Sequence, residues 1–429
     1  MPTEPTVPAA IAKIQNPFAH WDRWVWLFLI VGSLLRLIWP LDMEWKFDEK
    51  WMFEKGVAIA QGREAWPWLG MPSGVGLRNP GMSIWPFALL GYVADSPVSM
   101  TYAIAWINTL GLWALVLWVQ RAWPKEQRAF GMWGLALYAV TPLAVLFSRK
   151  VWAQDVLIVL VVPWLWGHSK RHGFAGALVW GCFGALLGQI HMSGFFAAAG
   201  LLIVTVVQDR LRWNVWGWLA GSVLGSLTLL PWIQYVLSPE ARAAASAGAG
   251  FSLKFFVHAL RHAWGLGLEY PLERAYRELL SGPVIAGVQT HLAQAARYGL
   301  LLLLLWAVIA RATDGKALLK LPSLVYTYAG CVLVTGLLMI AARVHVYEHY
   351  LIVFGPMLHI VAAWLLFKRR AAVIALCALQ GFLTACFLVF IHEHGGAPDA
   401  DYGKTYRVQS AEERKLTLPA DSALPNSTR

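Results

Sequence analysis

Eleven apolar runs divide this chain and leave it few ways to fold. They lie near residues 22–40, 97–120, 129–147, 152–167, 174–190, 192–207, 214–237, 296–312, 322–342, 348–367 and 370–392. The hydrocarbon core of a bilayer takes roughly 20 helical residues, and most of these runs are near that length. Without water, each backbone N–H and C=O must find a partner inside its own segment, which selects helices. Only 14% of the residues are charged, where a soluble domain has about a quarter. The 25 Trp residues suit the headgroup level, where the ring is buried and its N–H stays wet. The expected fold is an all-α polytopic membrane protein with about eleven transmembrane helices. Several runs are short, so tilted or re-entrant pieces are expected. An odd number places the two termini on opposite sides.

Orientation follows from the short loops. One alternating set carries Arg121, Lys125 and Arg128, then Lys170 and Arg171, Arg210 and Arg212, Arg311, Lys316 and Lys320, and Lys368, Arg369 and Arg370. The other set holds only Arg149, Lys150 and Arg343. The positive-inside rule puts the first set, and the N-terminus, in the cytoplasm. It also accounts for the net charge of +11 without any nucleic-acid partner. The long loops at about 41–96 and 238–295, and the polar tail 393–429, then face outward.

Each outer loop contains an amphipathic stretch. Lys46 to Gln61 reads as a short helix with Asp48 and Glu49 in its first turn, where carboxylates suit the helix dipole. Phe251 to Leu268 carries His258, Arg261 and His262 among apolar residues and reads as a helix lying at the interface. The tail, with Pro398, Gly403, Pro419 and Pro425, is expected to lack order near its end. Cys182, Cys331, Cys377 and Cys386 lie inside apolar runs and read as small core residues. The polar, Pro-rich first twenty residues and the long first apolar run fit an anchor rather than a cleaved signal.

The charges that depart from this pattern gather on the outer side. Asp155 is the only acid between Ser96 and Pro239 outside the cytoplasmic loops, and it sits one turn into an apolar run. A carboxylate there needs a cation or metal beside it, or else an ion pair with Arg149 or Lys150 that only braces the loop. Asp48 and Glu49 lie on the same side, with Arg149, Lys150, Arg343, His345, His349 and Tyr350, and with His191 at an outer turn. Such a cationic pocket at headgroup level suits a membrane-embedded phosphate, which Arg can bind bidentately. His258 and His262 have the i,i+4 spacing of a helical zinc pair but no third ligand near in sequence. His392-Glu393-His394 begins the polar tail.

The order of these features resembles the GT-C class of membrane glycosyltransferases, most closely the branch of protein O-mannosyltransferases and bacterial aminoarabinose transferases. The resemblance runs over about 20–370. It rests on Arg36-Leu37 ending the first helix, Asp48-Glu49 in the loop after it, Asn79-Pro80-Gly81-Met82-Ser83-Ile84-Trp85-Pro86 leading to Leu90-Gly91, Ser148-Arg149, Asp155 and Leu157, and Arg343 before His349-Tyr350-Leu351 and Pro356. Many members carry His-Pro-Pro where this chain has Asn79-Pro80-Gly81. The resemblance implies a single GT-C-like domain over 1–392, in a plasma (inner) membrane. It also implies inverting transfer of one sugar from a polyprenyl phosphate to a lipid, glycan or protein acceptor on the non-cytoplasmic face. Asp48 is then the expected base, with Glu49 orienting it or binding the acceptor. Arg149, Lys150 and Arg343, with His345, His349 and Tyr350, hold the donor. Asp155 contacts a cation, a metal or the sugar. Divalent-metal dependence stays open, with Asp48 or Asp155 as ligand. The competing expectation is a transporter or flippase of lipid-linked sugars, using the same groove without bond cleavage. Transporters often show repeated halves and charges near the midplane; this chain shows no repeat, and its charges cluster at one face.

Overall fold

The structure, a computed structural model, describes residues 22–73, 76–244, 250–313 and 321–417. The first twenty residues, Lys316, Lys320, Pro419 and Pro425 lie outside them. The fold is all-α and helical throughout its apolar runs, with three small two-stranded hairpins. Among the described residues six helices are long and apolar enough to cross a membrane: Pro97–Ala122, Val215–Val236, Leu292–Thr313, Ser323–Ala341, Glu348–Leu366 and Arg370–His394. Ile158–Ser169, Phe174–Ile190 and Ser193–Asp209 are apolar but shorter.

Other expected runs are broken. The run near 129–147 becomes Lys125–Val140 and Pro142–Leu146, because Pro142 has no N–H to continue the first helix. The run near 152–167 opens as a 3-10 turn, Ala153–Val156, before the helix Ile158–Ser169 begins. Asp155 is therefore in that turn, not in the helix.

Small residues allow the helices to close on one another. Val215–Ser226 packs against Phe174–Ile190 through Gly217, Gly221 and Gly225, spaced four apart. A Cβ at Gly221 would meet the Leu178 carbonyl at 2.0 Å. This is the small-residue seam that lipid-embedded helices use in place of a hydrophobic driving force. Gly32 does the same for Arg23–Leu37, where a Cβ would meet Ala139 O at 2.3 Å. That close approach lets the buried Arg36 donate to the carbonyls of Gly32, Tyr138 and Ala139.

Contacts between turns fall into two groups. At one end Arg171 pairs with Asp209, Arg370 with Asp22, and Arg311 donates to Trp364 O and Leu365 O. At the other, Lys150 meets the loop after the first helix, His191 meets His349, and His258 meets Glu348. The groups match the two sets of turns that the charge pattern separates.

The helix expected at Lys46 to Gln61 is Phe47–Ala60, with Lys46 and Gln61 as its caps. It packs on Trp85–Gly91, Gly56 lying against Phe87. The second loop contains the expected amphipathic helix as Lys254–Ala263. The end of the tail, beyond residue 417, lies outside the described residues. Through residue 417 the tail is folded: Gly396–Ala397 pairs with Gly403–Lys404, and Tyr406–Thr417 is a helix. Gly396 and Gly403 both take positive φ, which permits so short a hairpin. The segment packs on the loop after the first helix, with a Glu44–Thr405 bridge.

Candidate functional site

The loop after the first helix supplies the acids, and the turn after Leu146 supplies the cation. Lys150 is buried and lies 2.9 Å from Glu44 Oε2 and 3.3 Å from Glu49 Oε1. Its ammonium also sits 4.0 Å from the centre of the Trp152 ring. Burial alone would lower its pKa, but Glu44, Glu49 and Asp155 outweigh that and hold it well above the ordinary lysine value. Glu49 accepts from the Lys46 amide at 3.0 Å and so caps the helix that bears it. Burial raises the Glu49 pKa, and Lys150 opposes the rise. Lys46 makes a second ion pair with Glu44.

Asp48 stands beside this cluster, half-buried. Its Oδ2 accepts from Trp152 Nε1 at 3.2 Å. Its Oδ1 has no hydrogen-bond partner among the described residues. Burial raises its pKa, while the Trp152 bond, Lys150 and Lys46 pull it back. The net rise moves this carboxylate toward the range useful to a general base.

Trp152 joins Asp48 to an aromatic wall. His349 packs edge-on to Trp152 at 4.7 Å. His191 lies 5.5 Å from His349 and 4.8 Å from Tyr350. Tyr347 stacks on His349 at 5.6 Å, and His345 lies 5.4 Å from Tyr347. His191 Nδ1 is 2.7 Å from Ser193 Oγ, and burial pushes its pKa down to about 3. The wall therefore offers His191 as a neutral hydrogen-bonding group, not as one of the cations expected there.

Among the described residues several buried polar atoms make no hydrogen bond, among them Gln154 Oε1, both carboxylate oxygens of Asp155, Glu348 Oε2 and His349 Nδ1. Asp155 is 1% exposed. Its backbone carbonyl accepts from Asn108 at 2.7 Å, which fixes the turn. No Asp155 oxygen lies within ion-pair distance of Arg149 or Lys150 among the described residues, but the carboxylate interacts electrostatically with the Lys150 ammonium and with its backbone amide. Buried polar groups are nearly always paired, and a run of unpaired ones needs an explanation.

Two expected phosphate ligands are already engaged. Arg149 is buried and donates to Ile38 O and Trp39 O at 2.7 Å each and to Leu35 O at 3.4 Å. It closes the C-terminus of the first helix, whose last carbonyls carry partial negative charge. Lys150 is saturated by Glu44 and Glu49. In this arrangement both side chains are occupied by groups of the protein itself. Arg343 remains. It is exposed at the end of Ser323–Ala341 with φ +54° and makes no side-chain hydrogen bond or ion pair among the described residues.

The histidine pairs do not converge on a metal. His258 Nδ1 bonds Glu348 Oε1 at 2.8 Å, while His262 is buried against His359. His392 bonds Asp42 Oδ2 at 2.5 Å, and His394 stacks on Phe390. Among the described residues no group of three or more His, Cys, Asp or Glu side chains is placed to hold a metal ion. The four cysteines are free, and all but half-buried Cys182 are buried.

Sequence reasoning missed Glu44, Asp42, Trp152 and Glu348. Glu44 had a usable signal: a buried Lys150 requires a carboxylate, and Glu44 lies in the same loop as Glu49. Comparison with protein-family models, curated proteins and solved structures finds no match.

Proposed function

We propose that the protein is a membrane glycosyltransferase that moves one sugar from a polyprenyl-phosphate carrier to an acceptor, with inversion. Asp48 carries this reading: a half-buried carboxylate of raised pKa, with one free oxygen, set against an aromatic wall. Asp48 takes the acceptor proton as the acceptor oxygen attacks the anomeric carbon and the C–O bond to the carrier phosphate breaks. Flat aromatic faces at Trp152, His349 and Tyr350 pack on the C–H face of a sugar ring. The unpaired polar atoms of Gln154, Asp155 and Glu348 supply hydrogen bonds for hydroxyls. Arg343, exposed at the helix end, receives the departing phosphate. The Glu44–Lys150–Glu49 cluster fixes the loop rather than touching substrate.

In this reading all eleven apolar runs cross a plasma membrane. The end bearing Asp48 is non-cytoplasmic, where Lys and Arg are scarce in the short turns.

The test is mass analysis of lipid copurified with the protein, then single-turnover transfer from that lipid to candidate acceptors. A prenyl-linked sugar consumed by wild type and spared by Asp48→Asn is the expected result. A lipid-linked sugar that is bound and moved across vesicles with its glycosidic bond intact would instead identify a transporter. Cysteine placed at Ser73 is expected to react with an impermeant reagent outside, and cysteine at Thr313 is not; the reverse pattern puts the site in the cytoplasm.

A further inference from the structure

The loop that carries Asp48 has little structure of its own. Between the first helix and Phe47–Ala60 it contains one 3-10 turn, Pro40–Asp42, preceded by Trp39 at φ +47°. Much of its polar bonding goes to the far end of the chain. Asp42 is 2% exposed, and its carboxylate accepts from Arg407 Nε at 2.7 Å and His392 Nδ1 at 2.5 Å. Its carbonyl accepts from the Tyr402 hydroxyl at 2.5 Å. Met43 O accepts from the Tyr406 amide at 3.1 Å, and Trp45 O from Gln409 at 2.5 Å. Lys46 Nζ reaches Asp401 O at 2.5 Å. The carbonyls of residues 42, 43 and 45 are thus bound by the tail one after another.

We propose that residues 396–413 form a clamp that positions the first outer loop, with Arg407 acting through Asp42 to hold Asp48 against Trp152. The proposal rests on the transfer reaction proposed above. Arg407 touches no substrate group; it is a positioning residue. A buried carboxylate without its cation is costly, so losing Arg407 drives Asp42 toward water and loosens the residues after it. Asp48 lies six positions on, and its bond to Trp152 depends on where that loop rests. A displacement of about 1 Å in a catalytic group can cost on the order of 10²-fold in rate.

The experiment measures three things on the full-length protein in one detergent preparation: steady-state transfer, thermal unfolding, and amide hydrogen exchange of the peptide covering 42–50. For Arg407→Gln we expect kcat to fall on the order of tenfold or more, with KM for the lipid donor within about twofold. Amides in 42–50 should exchange at least about tenfold faster while the long helices keep their wild-type rates. Arg407→Lys should recover most of kcat, because the charge is restored. Tyr402→Phe removes only a hydroxyl and should give a smaller change of the same kind, which keeps the proposal testable should Arg407→Gln fail to fold. Unchanged exchange at 42–50, or a kcat loss that Arg407→Lys does not relieve, overturns the clamp. Exchange does not depend on turnover. A wild type that transfers no sugar therefore defeats the functional reading, while the exchange data still decide the clamp.

Discussion

The two ends of the bundle handle charge in opposite ways. At one, Arg171 and Asp209 form a bidentate pair, 2.5 and 3.0 Å, at the surface between two turns. Every atom of that fork is matched. At the other, Glu44, Glu49, Lys150 and Asp155 are all 3% exposed or less, and Asp155 has no hydrogen-bond partner for either oxygen among the described residues. A matched pair at a rim holds two loops together. Buried charge left partly unmatched raises the energy of the fold and persists where it serves a ligand or a reaction. Unmet bonding as such does not separate the ends, since Trp123 Nε1, Gln127 Oε1 and Trp213 Nε1 also lack partners among the described residues; what differs is that at the Asp155 end the unpaired groups include a buried carboxylate beside other buried charges.

The sharpest way to break this contrast is to neutralise one acid at each end. Asp48→Asn is expected to reduce transfer by about 10²–10⁴-fold, while Asp209→Asn leaves turnover within about twofold and costs about 1 kcal/mol of stability. Equal losses of transfer from both would show that the distinction between the ends is wrong. Measured by single-turnover transfer and thermal unfolding, the two variants give a direct answer.

Lys150→Ala tests whether the Glu44–Lys150–Glu49 cluster is structural. It leaves Glu44 and Glu49 buried without their shared cation and should destabilise the protein by about 3–5 kcal/mol. Arg149→Ala should also lower the unfolding temperature, since it frees three carbonyls at the end of the first helix. If either variant unfolds like wild type and loses only affinity for prenyl phosphate, these cations belong to the donor site after all.

The smallest expected effect is in pH dependence. Asp48 must be deprotonated to act as base, and its pKa is raised. Transfer should therefore fall as pH drops, with a midpoint above the ordinary aspartate value. The Trp152 bond favours the charged form, so Trp152→Phe should move that midpoint higher still, by less than about one unit. A midpoint that moves down would mean that Trp152 does not act through Asp48.

Much of this was readable in the chain, and what was not has physical reasons. The helix Phe47–Ala60 was legible because local signals agree: acids in the first turn and Glu49 three residues past the cap. The two sets of turns were legible because Lys and Arg sort by side. The role of Arg149 was not, since its partners are carbonyls about 110 residues away, which carry no sequence signature. Asp155 was placed in a helix because apolarity runs through 152–167, whereas the backbone turns through a 3-10 segment first. The folded part of the tail, 396–417, carried no local signal because its composition is polar and glycine-containing. Its order comes from a partner loop at the opposite end of the sequence, and propensity cannot see that.

That separation has a consequence for how the molecule is made. Asp42 and Arg407 are 365 residues apart. At about 5–20 residues per second, a ribosome needs roughly 20–70 s to pass from one to the other. During that time the acidic loop has already emerged and has nothing to close it. Insertion of the helices and closure of this loop are therefore separate events, and the second waits for the last stretch of chain to be synthesised. A nascent protein halted before Arg407 would hold its helices in place without that contact, so under the proposed function the order of synthesis itself would keep an incomplete chain silent.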